Sequence, residues 1–257
     1  MEILTAHHDA FLVLASCIVA LVAGFTGLSL TRELSKKPIH KRQISIALGS
    51  IALGGGIWAM HFVAMLGLQL PILFYYDAAI TLVSALTAIL VVGAALVLLH
   101  FVERTPLVIS VAGAIVGIGI LGMHYIGMAG LQLCRAIYTP LGIALSSGVA
   151  VLLCIVAFRI AYGRRRNRNI FLGTVCFAVA VVSVHFFAMA GTSFVAVPSL
   201  SEFGPTMSNE FLAIGVVLFS FVIFGTFLWV SVTYLVAEPN PSGDIAQPVT
   251  ETETETE

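Results

Sequence analysis

Apolar residues run in seven long blocks separated by short polar stretches. The blocks cover residues 10–30, 44–68, 78–99, 107–131, 141–161, 171–196 and 211–236. Each is long enough, as a helix, to cross roughly 30 Å of hydrocarbon. The pattern predicts an all-α membrane protein with seven transmembrane helices. Gly54-Gly55-Gly56, and Gly113 with Gly117, are small enough to let helices approach closely.

One short pattern recurs within these blocks. It reads Met60-His61-Phe62-Val63-Ala64-Met65, then Met123-His124-Tyr125-Ile126-Gly127-Met128, then Val184-His185-Phe186-Phe187-Ala188-Met189. The shared core is His, an aromatic, two small or apolar residues and Met. His and Met are four apart, so on a helix they share a face about one turn apart. The histidines are spaced by 63 and 61 residues, which marks an internal repeat. The helix before each motif belongs to the unit. Asp9 and Ser16 are seven apart, as are Asp77 and Ser84, and Pro140 and Ser147 hold that spacing in the third copy. The unit is then a helical hairpin of about 60 residues. Three hairpins in one orientation suit an axis along the membrane normal. They form one domain over 1–200, followed by a seventh helix within 201–236 and a polar tail over 237–257 that reads as disordered.

Composition supports the membrane assignment. Of 257 residues, 59% are hydrophobic and 10% charged, against about 25% charged in a soluble domain. Mean hydropathy is +1.06. The four cysteines show no CxxC or zinc-type spacing. Met1 to Asp9 lacks a basic leader, so the first helix is expected to be retained. Eleven of the twelve Lys and Arg fall in alternate connections: Arg32 to Arg42, Arg104, and Arg159 to Arg168. Only Arg135 lies on the other side. Positive charge marks the cytoplasmic side of a cell inner membrane, which puts the N-terminus outside and the C-terminus inside. The basic cluster at 164–168 fits topology and anionic-lipid contact. The three motifs then lie about 25–30 Å above the cytoplasmic edge, at the outer rim of the hydrocarbon. No catalytic segment is evident, so no enzymatic activity and no nucleic-acid partner are expected.

Ionisable residues inside a membrane span tend to mark function. Three histidines at equal depth, with thioethers beside them, suit copper and Cu(I) especially. The candidate ligands are His61, His124 and His185, with Met65, Met128 and Met189 and the preceding Met60 and Met123. Zinc through three His would leave the methionines idle. Asp9 and Asp77 sit where either could orient an imidazole or cap a helix. Cys134 could add a thiolate. His7 and His8 lie outside, where they could join a site or be solvated. Phe62, Tyr125 and Phe186 read equally as an aromatic wall or an interfacial belt.

The segment Met123-His124-Tyr125-Ile126, with its two companions, resembles the signature of the MHYT-domain integral membrane sensors. The resemblance covers roughly 1–200. The fourth motif residue departs, being Val63, Ile126 or Phe187 rather than Thr, and the third copy has Val184 in place of Met. The resemblance implies copper held by the Met and His residues, with a possible Cys contribution. It further implies sensing of oxygen, carbon monoxide or nitric oxide. Many relatives carry diguanylate cyclase or phosphodiesterase domains, for which this sequence shows no counterpart. A separate cytoplasmic or membrane signalling partner is therefore expected. Transport of copper or another small ion, and a redox or haem protein, are the competing readings. A retinal protein is excluded, since 211–236 holds no Lys for a Schiff base.

The charge alternation yields the first test. A reporter fused behind the seventh helix should be active only when it matures in the cytoplasm. A periplasm-only signal would invert the topology and put the motifs at the wrong face.

Overall fold

The computed structural model describes residues 3–31, 34, 38–163, 167–197 and 206–236. Arg32, Lys36 and Lys37, Arg164 to Arg166, and the 237–257 tail lie outside the described residues. Seven helices follow one another: α1 (Ala10–Leu30), α2 (Ile39–Leu66), α3 (Ala78–Phe101), α4 (Pro106–Ala129), α5 (Pro140–Gly163), α6 (Asn167–Ala190) and α7 (Asn209–Val236). All seven are long and apolar enough to cross a membrane.

The helices start where a side chain can take up free N–H groups. Asp9 Oδ1 accepts from the backbone N–H groups of Phe11 and Leu12, both at 3.0 Å. Asp77 Oδ1 accepts from Ile80 N–H at 2.9 Å, and Thr139 Oγ1 from Gly142 N–H at 3.1 Å. Each cap contributes about 1 kcal/mol. Seven residues on, Ser16, Ser84 and Ser146 are fully buried and donate to the carbonyls of Val13, Thr81 and Ile143. The third copy of the acid-to-serine spacing is thus Thr139 with Ser146, one residue earlier than Pro140 with Ser147. Thr replaces the acid as cap, and Pro140 fills the first helical position, where its missing N–H costs nothing.

The motif helices stop at a glycine six residues past each His: Gly67, Gly130 and Gly191. The same glycines latch the hairpins. Their carbonyls accept from the N–H of Asp9 at 2.9 Å, Asp77 at 2.8 Å and Thr139 at 3.0 Å, respectively. The apolar sequence continues past these glycines as short strands rather than as helix, so the blocks ending at 68, 131 and 196 overrun the helices. Strands β1 (Ile3–Leu4), β2 (His7–His8), β3 (Leu68–Gln69), β4 (Tyr75–Asp77), β5 (Leu131–Gln132), β6 (Cys134–Tyr138), β7 (Thr192–Ala196) and β8 (Thr206–Met207) all lie at this end. They form three antiparallel sheets, ordered β1-β7-β6, β2-β3 and β5-β4-β8.

The six hairpin helices form a closed ring in chain order, with α6 returning to α1. Within it α2, α4 and α6 meet pairwise at the centre, while α7 packs outside on α1 and α2. Close approach depends on glycines seven residues before the histidines. A Cβ on Gly54 would stand 2.6 Å from Ile89 Cα on α3, and one on Gly117 2.7 Å from the Ala150 carbonyl oxygen on α5. Leu82, Leu86 and Leu90 of α3, and Leu145 and Leu152 of α5, point outward as a lipid-facing surface.

Gly117→Ala should force α4 from α5 and cost about 1–3 kcal/mol. Gly148→Ala, which meets nothing within 4 Å, should be neutral or mildly stabilising. Thermal melts in detergent, read by size-exclusion chromatography, compare the two.

Candidate metal centre

His61 comes from α2, His124 from α4 and His185 from α6. Because the three inner helices meet on the axis and each His stands six residues before a latched glycine, the imidazoles reach one level. They are 1%, 1% and 2% exposed. Ring centroids lie 4.9 Å apart for His61 and His124, 5.0 Å for His61 and His185, and 5.5 Å for His124 and His185, all edge-on. The Nδ1 atoms of His61 and His185 are 3.0 Å apart, and those of His61 and His124 3.3 Å. One ligand atom from each of the three lies within 4.8 Å of the others.

Mutual hydrogen bonding does not satisfy this arrangement. A neutral imidazole has one N–H and one lone pair, and the Nδ1 of His61 faces two neighbours at once. All three Nε2 atoms are buried and make no hydrogen bond within the protein. Leaving a buried polar group unpaired costs about 1–3 kcal/mol. A cation would use all three inward lone pairs together. Two bonds of about 2.0–2.1 Å at a tetrahedral angle place ligand nitrogens about 3.3 Å apart, close to both measured separations. The residues therefore fit a three-imidazole metal centre.

The surroundings hold the rings. Each motif aromatic sits edge-on to the imidazole before it, with centroids at 4.8 Å for Phe62, 5.1 Å for Tyr125 and 4.8 Å for Phe186. Phe62 is wholly buried, and Tyr125 Oη lies 3.0 Å from Ser146 Oγ. These residues are a wall around the histidines. Gly127, inside the second motif, makes room for the first histidine. A Cβ there would stand 3.1 Å from His61 Nε2 and 3.4 Å from Phe62 Cζ.

The other candidates are placed differently. Met60, Met65, Met123, Met128 and Met189 are buried in the apolar core of the bundle. Asp9 and Asp77 spend their carboxylates as helix caps, and Asp77 Oδ2 also accepts from Gln132 Nε2 at 3.4 Å. Neither hydrogen-bonds an imidazole. Cys134 pairs with Ala196 across β6 and β7. Burial pushes its thiol up to about 11, so it stays protonated at neutral pH and is a poor ligand in that form. His8, half-buried on β2, lies edge-on to His185 at 6.1 Å. Neither Gly127 nor His8 stands out by composition. The glycine six residues past each motif histidine marks where the helices end.

Known proteins share this organisation. The MHYT repeat, described as a bacterial signalling protein N-terminal repeat, matches residues 54–112 and 117–174. The two matches open on Gly54 and Gly117, the close-packing glycines seven residues before His61 and His124. The bifunctional diguanylate cyclase/cyclic di-GMP phosphodiesterase MucR of Pseudomonas aeruginosa is 32% identical over 235 residues, covering 89% of this chain and 34% of MucR. The cyclic di-GMP phosphodiesterase NbdA of the same organism is 33% identical over 71% of this chain and 24% of its own length. The signaling protein YkoW of Bacillus subtilis is 27% identical over 76% of this chain and 25% of its own. The chain thus spans about a third or less of the curated relatives it matches. No solved structure matches it.

Gly127→Val should press on His61 and Phe62 and cost about 1–3 kcal/mol. Gly122→Ala, whose nearest contact is Thr87 Cγ2 at 3.9 Å, should leave the melting temperature level or raise it. Equal melting temperatures for the two variants would remove the steric role given to Gly127.

Proposed function

The chain belongs to the MHYT family of bacterial membrane signalling proteins, and we propose that it senses a diatomic gas through a copper ion held by His61, His124 and His185. The observation that carries this reading is the convergence of three Nδ1 atoms at a buried point, where the imidazoles do not satisfy one another. When bound, the ion offers a coordination position to oxygen, carbon monoxide or nitric oxide. The donor set favours Cu(I). Three neutral imidazoles bring no negative charge, and Asp9 and Asp77 are committed to helix ends. Burying an uncompensated double charge costs far more than burying a single one. The buried methionines one helical turn past each histidine agree with the same ion.

The protein's own part is to hold the three rings and to transmit their displacement. A shift of any one moves α2, α4 and α6 against each other, because all three touch on the axis. The helices run from the centre to the end that carries Lys41, Arg42, Arg104 and Arg159, which we assign to the cytoplasm of a cell inner membrane. There the change would pass to a signalling partner. The printed activities of MucR and NbdA make cyclic di-GMP turnover the leading output, with this region sensing rather than catalysing. Sensing is favoured over transport by the packing beneath the centre. Among the described residues, Leu53, Ile57, Val116, Ile120, Phe177 and Val181, four and eight positions before the histidines, are all buried and apolar, which disfavours an ion path.

Purified without chelator, the protein should carry copper, and His124→Ala should lose it. Met128→Leu preserves volume and should keep the ion while moving preference from Cu(I) toward Cu(II) or zinc. Full copper in His124→Ala would sink the metal reading. Unchanged Cu(I) preference in Met128→Leu would assign Met128 to packing and leave the three histidines as the whole ligand set.

A further inference from the structure

The three histidines are 1–2% exposed, so an ion needs a path to them. On the strand end a cavity of about 380 Å³ opens between the N-terminal segment and the end of α6. Leu4, His8, Phe186, Met189, Thr192 and Phe194 line it. It touches the third motif directly, since Phe186 and Met189 flank His185 on α6. His8 stands edge-on to His185, with centroids 6.1 Å apart, and to Phe186 at 5.6 Å. Its Nε2 is buried and makes no hydrogen bond within the protein.

The position of His8 is built in. It pairs with Leu68 across β2 and β3, and the next residue, Asp9, both caps α1 and latches to Gly67. Strand alternation sends the neighbouring His7 the other way, and His7 is exposed. The cavity therefore offers one fixed imidazole and one thioether, with no carboxylate among these lining residues. Those are donors for a soft cation.

We propose that this cavity is the port by which Cu(I) reaches the three-histidine centre, and that His8 is the first imidazole to take it. The proposal rests on the copper reading above. His8 lies outside the converging set, so it is a transit ligand. Its nitrogen lone pair would hold the incoming ion, and His185 would take it over from there. No electron is transferred.

The test uses the full chain, stripped of metal, in detergent, with Cu(I) delivered anaerobically from a chromophoric Cu(I) chelator. His8→Leu should slow loading about tenfold, equivalent to about 1.4 kcal/mol in the barrier, with final stoichiometry and affinity unchanged. His8→Met has nearly the same volume but keeps a soft donor, and should load near the wild-type rate, as should His7→Leu. Equal rates for His8→Leu and His8→Met would reduce His8 to filling space and overturn the port. A loss of equilibrium affinity in His8→Leu would make His8 a permanent ligand and overturn it as well. Wild-type protein that takes up no Cu(I) would instead mark the failure of the centre itself.

Discussion

Three imidazoles, 1–2% exposed, are packed together inside an apolar bundle, and among the described residues no carboxylate pairs with them. Polar groups in that setting are costly unless satisfied, and the rest of the structure is arranged around them. The inner helices must come close enough for the rings to meet, which requires Gly54 and Gly117 against the neighbouring hairpins. The rings must stand at one height, which the latched glycines ensure. They must not turn away, which the edge-on aromatics prevent. A cation at the point where the Nδ1 atoms converge would use the lone pairs that the rings cannot satisfy among themselves.

The threefold plan is kept in the backbone more strictly than in the side chains. Thr139 differs chemically from Asp9 and Asp77, yet all three cap a helix and donate to the glycine that closes the same hairpin. Where the repeats diverge, the centre loses its symmetry. Gly127 gives His61 space from the second motif, where the first and third motifs have Ala64 and Ala188. The N-terminal strands pair with the first and third repeats, and only the third has β1 on its closing strand and His8 beside its motif histidine, so one side of the centre faces a cavity.

Much of this was legible in the sequence because hydropathy and repetition are long-range signals. Seven helices, three hairpins and the common depth of His61, His124 and His185 follow from spacing alone. What was not legible depends on local chemistry. The short strands carry Leu68, Leu131 and Phe194, which hydropathy reads as a continuation of the helices. The roles of Asp9 and Asp77 were balanced between capping and orienting a ring, and a carboxylate one residue before a helix serves the nearer N–H groups. The third spacing was taken one residue late because Pro140 is conspicuous and the working cap is Thr139. The nearness of His8 to His185 joins residues 177 positions apart, through a sheet of two-residue strands that no periodicity announces.

The ring closes through its two most distant members. Ile3 pairs with Val195 and Leu4 with Phe194, and α1 lies against α6. During synthesis the first hairpin enters the membrane long before β7 exists, since a chain grows at about 5–20 residues per second and folds from its N-terminal side. Until residue 195 has emerged, His61 and His124 face an unfilled third position and the N-terminal strand has no partner. The centre is thus the last part of the ring to be assembled, in a chain whose three hairpins are already in place.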